Sequence, residues 1–128
     1  MKLVVVIVTF NSRKIIDTCL MSIFRQGSYQ VVVVDNNSQD NTVHFIKQKF
    51  PQVKLIGLTQ NLGYAGANNL GIDYTLQQPA DFVLILNPDT QVLPDCFNVL
   101  SKAAKSYNNK GIFGPKIYSK KTLIWSAG

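Results

Sequence analysis

The sequence contains no glutamate. All seven acidic residues are aspartate, and none follows Asp95. Chemistry that pairs carboxylates for acid–base work therefore has few residues to draw on. Histidine is as scarce. His44 stands alone beside Val43 and Phe45 in a helical stretch and reads as surface, which excludes a histidine metal cluster and nearly excludes a nucleophilic triad. Cys19 and Cys96 lie far apart without a CxxC, so neither a disulfide framework nor a zinc site is indicated, and both read as buried core thiols. No apolar run approaches the ~18 residues of a membrane span. The stretch "LVVVIV" is too short for a signal-peptide core, and no small-residue cleavage site follows it. A cytoplasmic location is the expectation. Two phosphate-binding loops are also missing. The turn "TFNSRK" has no glycine and cannot be a GxGxxG fingerprint, and no GK[ST] occurs.

What is present fits one soluble α/β domain. At 128 residues the chain can bury a sizeable core, and an apolar fraction of 46% against 16% charged residues argues against disorder. The net charge of +6 comes from thirteen Lys and Arg, six of them between Lys102 and Lys121. A surplus of this sign suits a phosphate-bearing ligand or an anionic surface. The basic run reads either as a solvated face or as a peripheral contact with anionic lipid on the inner face of the membrane. Nucleic acid is not expected, because zinc-finger spacing, an RRM signature and a basic-aromatic stripe are all missing.

Apolar patterning gives alternating strands and helices. Residues 3–8 and "VVVVD" are apolar on both faces and read as central strands, and "VKLIGL" and Phe82–Leu86 supply two more. Ile15, Ile16, Cys19, Leu20, Ile23 and Phe24 form a helical stripe, capped by Ser12 or Asn11 and ended near Gly27. A second helix, capped by Ser38 or Asp40, runs to about Phe50, where Pro51 closes it. A third, weakly patterned, spans Tyr64 to Gln78 with Gly66 and Gly71 inside it. A fourth spans Pro94–Tyr107, and "GIFGPKIY" and "LIW" read as short late strands. Such alternation implies a mostly parallel, Rossmann-like sheet flanked by helices, with ligands bound beyond the carboxyl ends of its strands. Thr9 to Asn11, Asp35 to Asn37 and Asn87 to Asp89 all arrive at that edge, and "NLGYAG" joins them from the loop after the third strand.

Four motifs then add up to a resemblance: "VVVIVTFNS", "VVVVDNNSQDNT", "NLGYAGANNLGI" and "LILNPDT". In order and spacing the chain resembles family 2 glycosyltransferases of the GT-A fold, nearest the branch with bacterial rhamnosyltransferases of cell-surface polysaccharides. The likeness covers roughly residues 1–120. It implies inverting transfer of a sugar from a UDP- or dTDP-linked nucleoside diphosphate sugar to a saccharide or lipid-linked acceptor. It also implies Mg²⁺ or Mn²⁺ at the diphosphate.

Residue by residue, Thr9, Phe10 and Asn11 match the family's Thr-aromatic-Asn turn under the nucleoside. Phe10 is placed either against the base or in the core. Asp35 matches the aspartate that accepts from the base N3–H, a role open to a carboxylate; alternatively it caps the turn of "NNSQD". Asn37 joins it as a nucleotide-contacting residue. In the third motif Asn61, Gly63 and Asn68 are implied donor-binding residues, Gly63 supplies a tight turn, Gly66 allows close approach, and the helix N-terminus offers amides to an anion; the alternative is a turn and helix packing alone. Asn68 stands where many relatives carry arginine. Asn87-Pro88-Asp89 occupies the position of the DxD motif. Asp89 becomes the metal ligand, or else a cap for the helix after Pro94. Asn87 keeps a carbonyl oxygen but loses a charge, and is left to contact ribose or to reach metal through water.

An inverting transfer also needs a general base. With Asp35 and Asp89 assigned and no other aspartate at the lip, the catalytic residue is unknown. Residues 1–128 therefore read as the nucleotide-sugar-binding part of a GT-A domain that is incomplete at its C-terminus and inactive alone. A nucleotide-sugar-binding module without turnover is the main rival. A nucleotidyltransferase lacks its glycine-rich basic loop here, and a flavodoxin-like domain leaves NPDT unexplained.

Overall fold

The computed structural model describes residues 2–108, 110–120 and 123–127, so Lys121 of the basic run lies outside the described residues. The chain divides into two compact units, Met1–Val92 and Leu93–Gly128.

The first unit follows the sequence pattern. Strands β1 (Leu3–Thr9), β2 (Gln30–Asp35), β3 (Lys54–Gly57) and β4 (Phe82–Leu86) alternate with helices α1 (Ile16–Phe24), α2 (Thr42–Lys49) and α3 (Gly63–Leu76). The strands pair in the order β3-β2-β1-β4, and every pairing is parallel. β1 and β2 are the central pair, which is why both read as unbroken valine-rich runs: Val4 to Ile7 and Val31 to Val34 are almost wholly buried. On one face Val4, Val6, Val8, Val32 and Val34 pack with Ala67 of α3. The alternate set, Val5, Ile7, Val31 and Val33, points the other way and is equally buried, as are Ile16, Leu20 and Ile23 of α1 and Ile46 of α2. α1 and α2 are joined by Phe24 stacked on Phe50, with ring centroids 5.9 Å apart, and by the exposed Asp17–Lys49 ion pair at 2.7 Å.

α3 has little apolar patterning because it packs through small residues. Its buried positions are Ala67, Asn68, Gly71 and Thr75. A Cβ at Gly71 would lie 2.5 Å from Val6 Cγ1 and 3.2 Å from Val34 Cγ2, so only glycine lets the helix lie this close to β1 and β2.

Both helix starts depart from expectation: the cap position of α2 is Asn41, without a side-chain cap bond, rather than Ser38 or Asp40. Ser12 does not cap α1 with its side chain. Its carbonyl accepts from Ile15 and Ile16 N–H at 3.0 and 2.9 Å, while its hydroxyl turns back to Phe10. Asn11 does not cap it either, because Asn11 Oδ1 accepts the N–H of Gln39 at 2.8 Å. At α2, Asp40 Oδ1 accepts from Thr42 N–H at 3.2 Å and from the Thr42 hydroxyl, and Asp40 Oδ2 accepts from Arg13 N–H at 3.0 Å. Burial would raise the Asp40 pKa, but these hydrogen bonds outweigh it and hold the carboxyl below the ordinary value of 3.8.

The second unit contains α4 (Cys96–Ser106) and an antiparallel hairpin of β5 (Lys116–Lys120) and β6 (Leu123–Ala127). "GIF" stays outside the late strand. Cys19 is buried as expected, whereas Cys96 is only half-buried, and neither is in a disulfide.

Candidate functional site at the carboxyl edge

After β1 the chain crosses to β2 and β3 on one side, then returns to place β4 on the other. That reversal opens a crevice at the carboxyl ends of β1, β2 and β4. A cleft of about 420 Å³ lies there, and all of its lining residues belong to the first unit. Each of the four strand-end loops contributes: Phe10 and Ser12 after β1, Asn36 after β2, Asn61, Gly63 and Tyr64 after β3, and Asn87, Pro88 and Asp89 after β4.

The structure divides the sequence-predicted residues into two groups. Phe10, Asn61, Gly63, Asn87 and Asp89 line the cleft together. Phe10 is 52% exposed, which removes its core role and leaves an aromatic face open to a ligand. Thr9, Asn11, Asp35, Asn37 and Asn68 are not among the lining residues.

Thr9 and Asp35 are register partners at the ends of β1 and β2, and both are buried. Asp35 Oδ1 accepts from the Thr9 hydroxyl at 2.7 Å and the Ser38 hydroxyl at 2.6 Å, and Oδ2 accepts from Ser38 N–H at 2.8 Å. The carboxylate thus braces the turn that follows it, with one lone-pair direction on Oδ2 not used by these bonds. Asn11 N–H donates to Ser38 Oγ at 2.8 Å, stapling the first turn to the second. Asn37 accepts from Gln39 Nε2. Asn11, Asn37 and Asn41 all have positive φ, at 49, 66 and 70°. Asparagine tolerates that left-handed region, so the abundance of Asn here has a conformational cause.

Two residues that the sequence places at this edge without a role shape the cleft. Asn36 is buried; its Oδ1 accepts from Leu62 N–H at 2.8 Å and its Nδ2 donates to the Gly63 carbonyl at 3.0 Å. It ties the end of β2 to the start of α3. Gly63, at φ 74°, also donates its N–H to Asn61 Oδ1 at 2.8 Å, so the amides of Leu62 and Gly63 have protein acceptors already. Tyr64 is the other: its hydroxyl donates to Asn87 Oδ1 at 2.8 Å. The signal for Tyr64 was present in "NLGYAG", whereas nothing in the sequence separates Asn36 from its neighbour Asn37. Asn68 sits buried one turn further on, donating to the Tyr64 carbonyl at 3.0 Å, and its Oδ1 has no partner among the described residues.

Below the NPD turn, Cys19 Sγ–H donates to the Asn87 carbonyl at 3.6 Å. Burial, and next the nearby Asp89 carboxylate, push this thiol up to about 12, so it stays protonated near neutral pH. Among the described residues Asp89 is the one carboxylate lining the cleft. Among the described residues no group of three or more His, Cys, Asp or Glu could hold a metal ion. The donor set therefore supplies one hard oxygen ligand and leaves the rest of a cation's shell to ligand and water.

A family model described as glycosyl transferase family 2 matches residues 4–124. The chain is 30% identical over 105 residues to the N-acetylglucosaminyl-diphospho-decaprenol L-rhamnosyltransferase of Mycobacterium tuberculosis, covering 76% of this chain and 34% of that protein. It is 30% identical over 125 residues to TagX of Staphylococcus aureus, covering 93% of this chain and 35% of that one. It thus spans about a third of the length of these relatives. The crystal structure of S. aureus TarS residues 1–349 superposes with a TM-score of 0.73 at 22% identity, over 94% of this chain and 40% of that one. TarS has also been solved with UDP and with UDP-GlcNAc.

Proposed function

Because the chain belongs to glycosyl transferase family 2, we propose that residues 1–128 are the nucleotide-sugar-binding part of an enzyme that transfers a sugar from a UDP- or dTDP-linked donor. The observation that carries this is the convergence of four strand-end loops on one cleft, with the exposed ring of Phe10 and the Asp89 carboxylate both lining it. An open ring gives a nucleobase a stacking surface. Asp35, buried just behind the lining residues, is the proposed acceptor for a uracil or thymine N3–H, through an Oδ2 lone-pair direction that its bonds to Thr9 and Ser38 do not use.

Asp89 would hold a divalent cation, Mg²⁺ or Mn²⁺, and as a lone hard ligand it would do so mainly in company with the donor diphosphate. When bound, that cation supplies neutralisation of charge on the departing diphosphate. The acceptor is a saccharide or a lipid-linked saccharide of the cell surface, a reading supported by the decaprenol-linked substrate in the name of the mycobacterial relative. Transfer is inverting, and its general base is assigned to no described residue. The enzyme works in the cytoplasm, with peripheral contact to anionic membrane through its basic run. No helix of the described residues is long and apolar enough to cross a membrane.

Thermal denaturation with UDP, dTDP and GDP, each with and without Mn²⁺, tests the nucleotide reading. Stabilisation by UDP or dTDP, enhanced by Mn²⁺ and exceeding that by GDP, is expected. A midpoint unmoved by all three nucleotides would refute a nucleotide site.

A further inference from the structure

The Tyr64–Asn87 hydrogen bond has a consequence for how the cleft meets a diphosphate. An Asn side chain offers one carbonyl oxygen and one NH₂ group, which diverge from the same carbon. Here the oxygen accepts from the Tyr64 hydroxyl at 2.8 Å. The Nδ2 hydrogens make no hydrogen bond to the described residues, on a side chain that lines the cleft beside Asp89. The backbone carbonyl of Asn87 is engaged by Thr90 N–H at 3.1 Å and by Cys19, so the turn that carries the side chain is held from below.

We propose that Tyr64 is a positioning residue that turns the Asn87 amide so that it presents N–H donors to the diphosphate instead of an oxygen to the cation. The proposal rests on the nucleotide reading above and deepens it. With a carboxylate at both positions 87 and 89, a cleft would need a cation to offset its own charge before accepting an anion. This cleft replaces one negative group with a neutral donor. Part of its grip on the diphosphate is then a direct, charge-assisted hydrogen bond that needs no metal.

The measurement is calorimetric titration of UDP and dTDP in Mn²⁺ and again in EDTA, for the unmodified chain, Asn87→Asp and Tyr64→Phe. Both side chains are exposed, Tyr64 by 54%, so both variants are expected to fold. In the unmodified chain, removing Mn²⁺ should weaken binding by less than about tenfold. In Asn87→Asp, where the donor becomes a second anionic ligand, the loss should exceed about a hundredfold. Affinity for Mn²⁺ alone, read by electron paramagnetic resonance, should rise in the same variant. Tyr64→Phe frees the amide to turn its oxygen to the cation, so the ratio of affinities with and without Mn²⁺ should rise towards that of Asn87→Asp. A merely structural role for Tyr64 would lower both affinities together and leave the ratio unchanged, and that result overturns the proposal. Equal ratios in the unmodified chain and Asn87→Asp overturn it as well while leaving the nucleotide site intact. No binding of either nucleotide by any of the three proteins overturns the nucleotide reading and this proposal with it.

Discussion

Asp35 carries three hydrogen bonds at 2% exposure, so it is a structural carboxylate whatever else it contacts. Replacing it with asparagine puts an NH₂ group among donors that expect an acceptor, a mismatch that costs about 1–3 kcal/mol. Asp35→Asn should therefore lower the thermal midpoint by several degrees. Measured well below that midpoint, UDP or dTDP binding should weaken by about ten- to a hundredfold. Unchanged affinity would leave Asp35 with the turn alone. Asp40 offers a second test. Its folded pKa lies below the ordinary 3.8 through hydrogen bonds that outweigh burial, so its contribution is present above the unfolded value and lost as pH falls through the folded one. Acid titration followed by circular dichroism should show Asp40→Asn with a shallower loss of stability below pH 3.8. At this scale the sequence brings Asp89 to the edge where it lines the cleft, and is harder to read where asparagine is abundant. Asn11 and Asn37 occupy the right loops but serve left-handed turns and staples, while the buried Asn36 ties the loops together. Only the backbone path distinguishes Asn36 from Asn37.

Helix α3 is where pattern reading was weakest at the scale of elements. Its apolar stripe is faint because Ala67 and Gly71, not large side chains, face the valines of β1 and β2. The close approach brings the N-terminal turn of α3, with Gly63 and Tyr64, over the crevice. Gly71→Ala would place a methyl group 2.5 Å from Val6 Cγ1, so the helix must move outward. Overpacking of this kind costs about 1–3 kcal/mol, beyond the small gain in helix propensity. Denaturant unfolding should show that loss, and nucleotide affinity should fall with it because Tyr64 and Gly63 shift as the helix does. A variant as stable as the parent would show that the sheet can yield at Val6. The strands were legible throughout, because a parallel sheet covered on both faces leaves long valine runs that no helix of this length would need. The helix starts were less so: Ser12 works through its carbonyl, and its hydroxyl is spent on Phe10.

At the scale of the whole molecule, Asp89 is the carboxylate among the described residues lining the cleft, and several other aspartates have partners elsewhere. Asp17 pairs with Lys49, Asp40 accepts from Thr42 N–H ahead of α2, and Asp81 accepts from Lys2 N–H at 2.6 Å at the opposite edge of the sheet. The 128-residue chain should therefore bind donor and show at most slow hydrolysis of it, since losing general-base assistance costs ~10²–10⁴ in rate. Transfer to an acceptor by this chain at a rate comparable to that of a longer relative would require a base among Asp35, Asp89 and Asp95. The central claim, that the carboxyl-edge cleft is a nucleoside diphosphate site, meets its most direct test in titration calorimetry of UDP and dTDP with Mn²⁺ on the unmodified chain, Phe10→Ala and Asp89→Ala. Both substitutions are at exposed positions and should change stability by no more than about 0.5 kcal/mol. The account requires saturable one-to-one binding by the unmodified chain, weaker binding by Phe10→Ala, and loss in Asp89→Ala of the mutual enhancement between Mn²⁺ and nucleotide. Binding that neither substitution disturbs would place the nucleotide elsewhere and contradict the account.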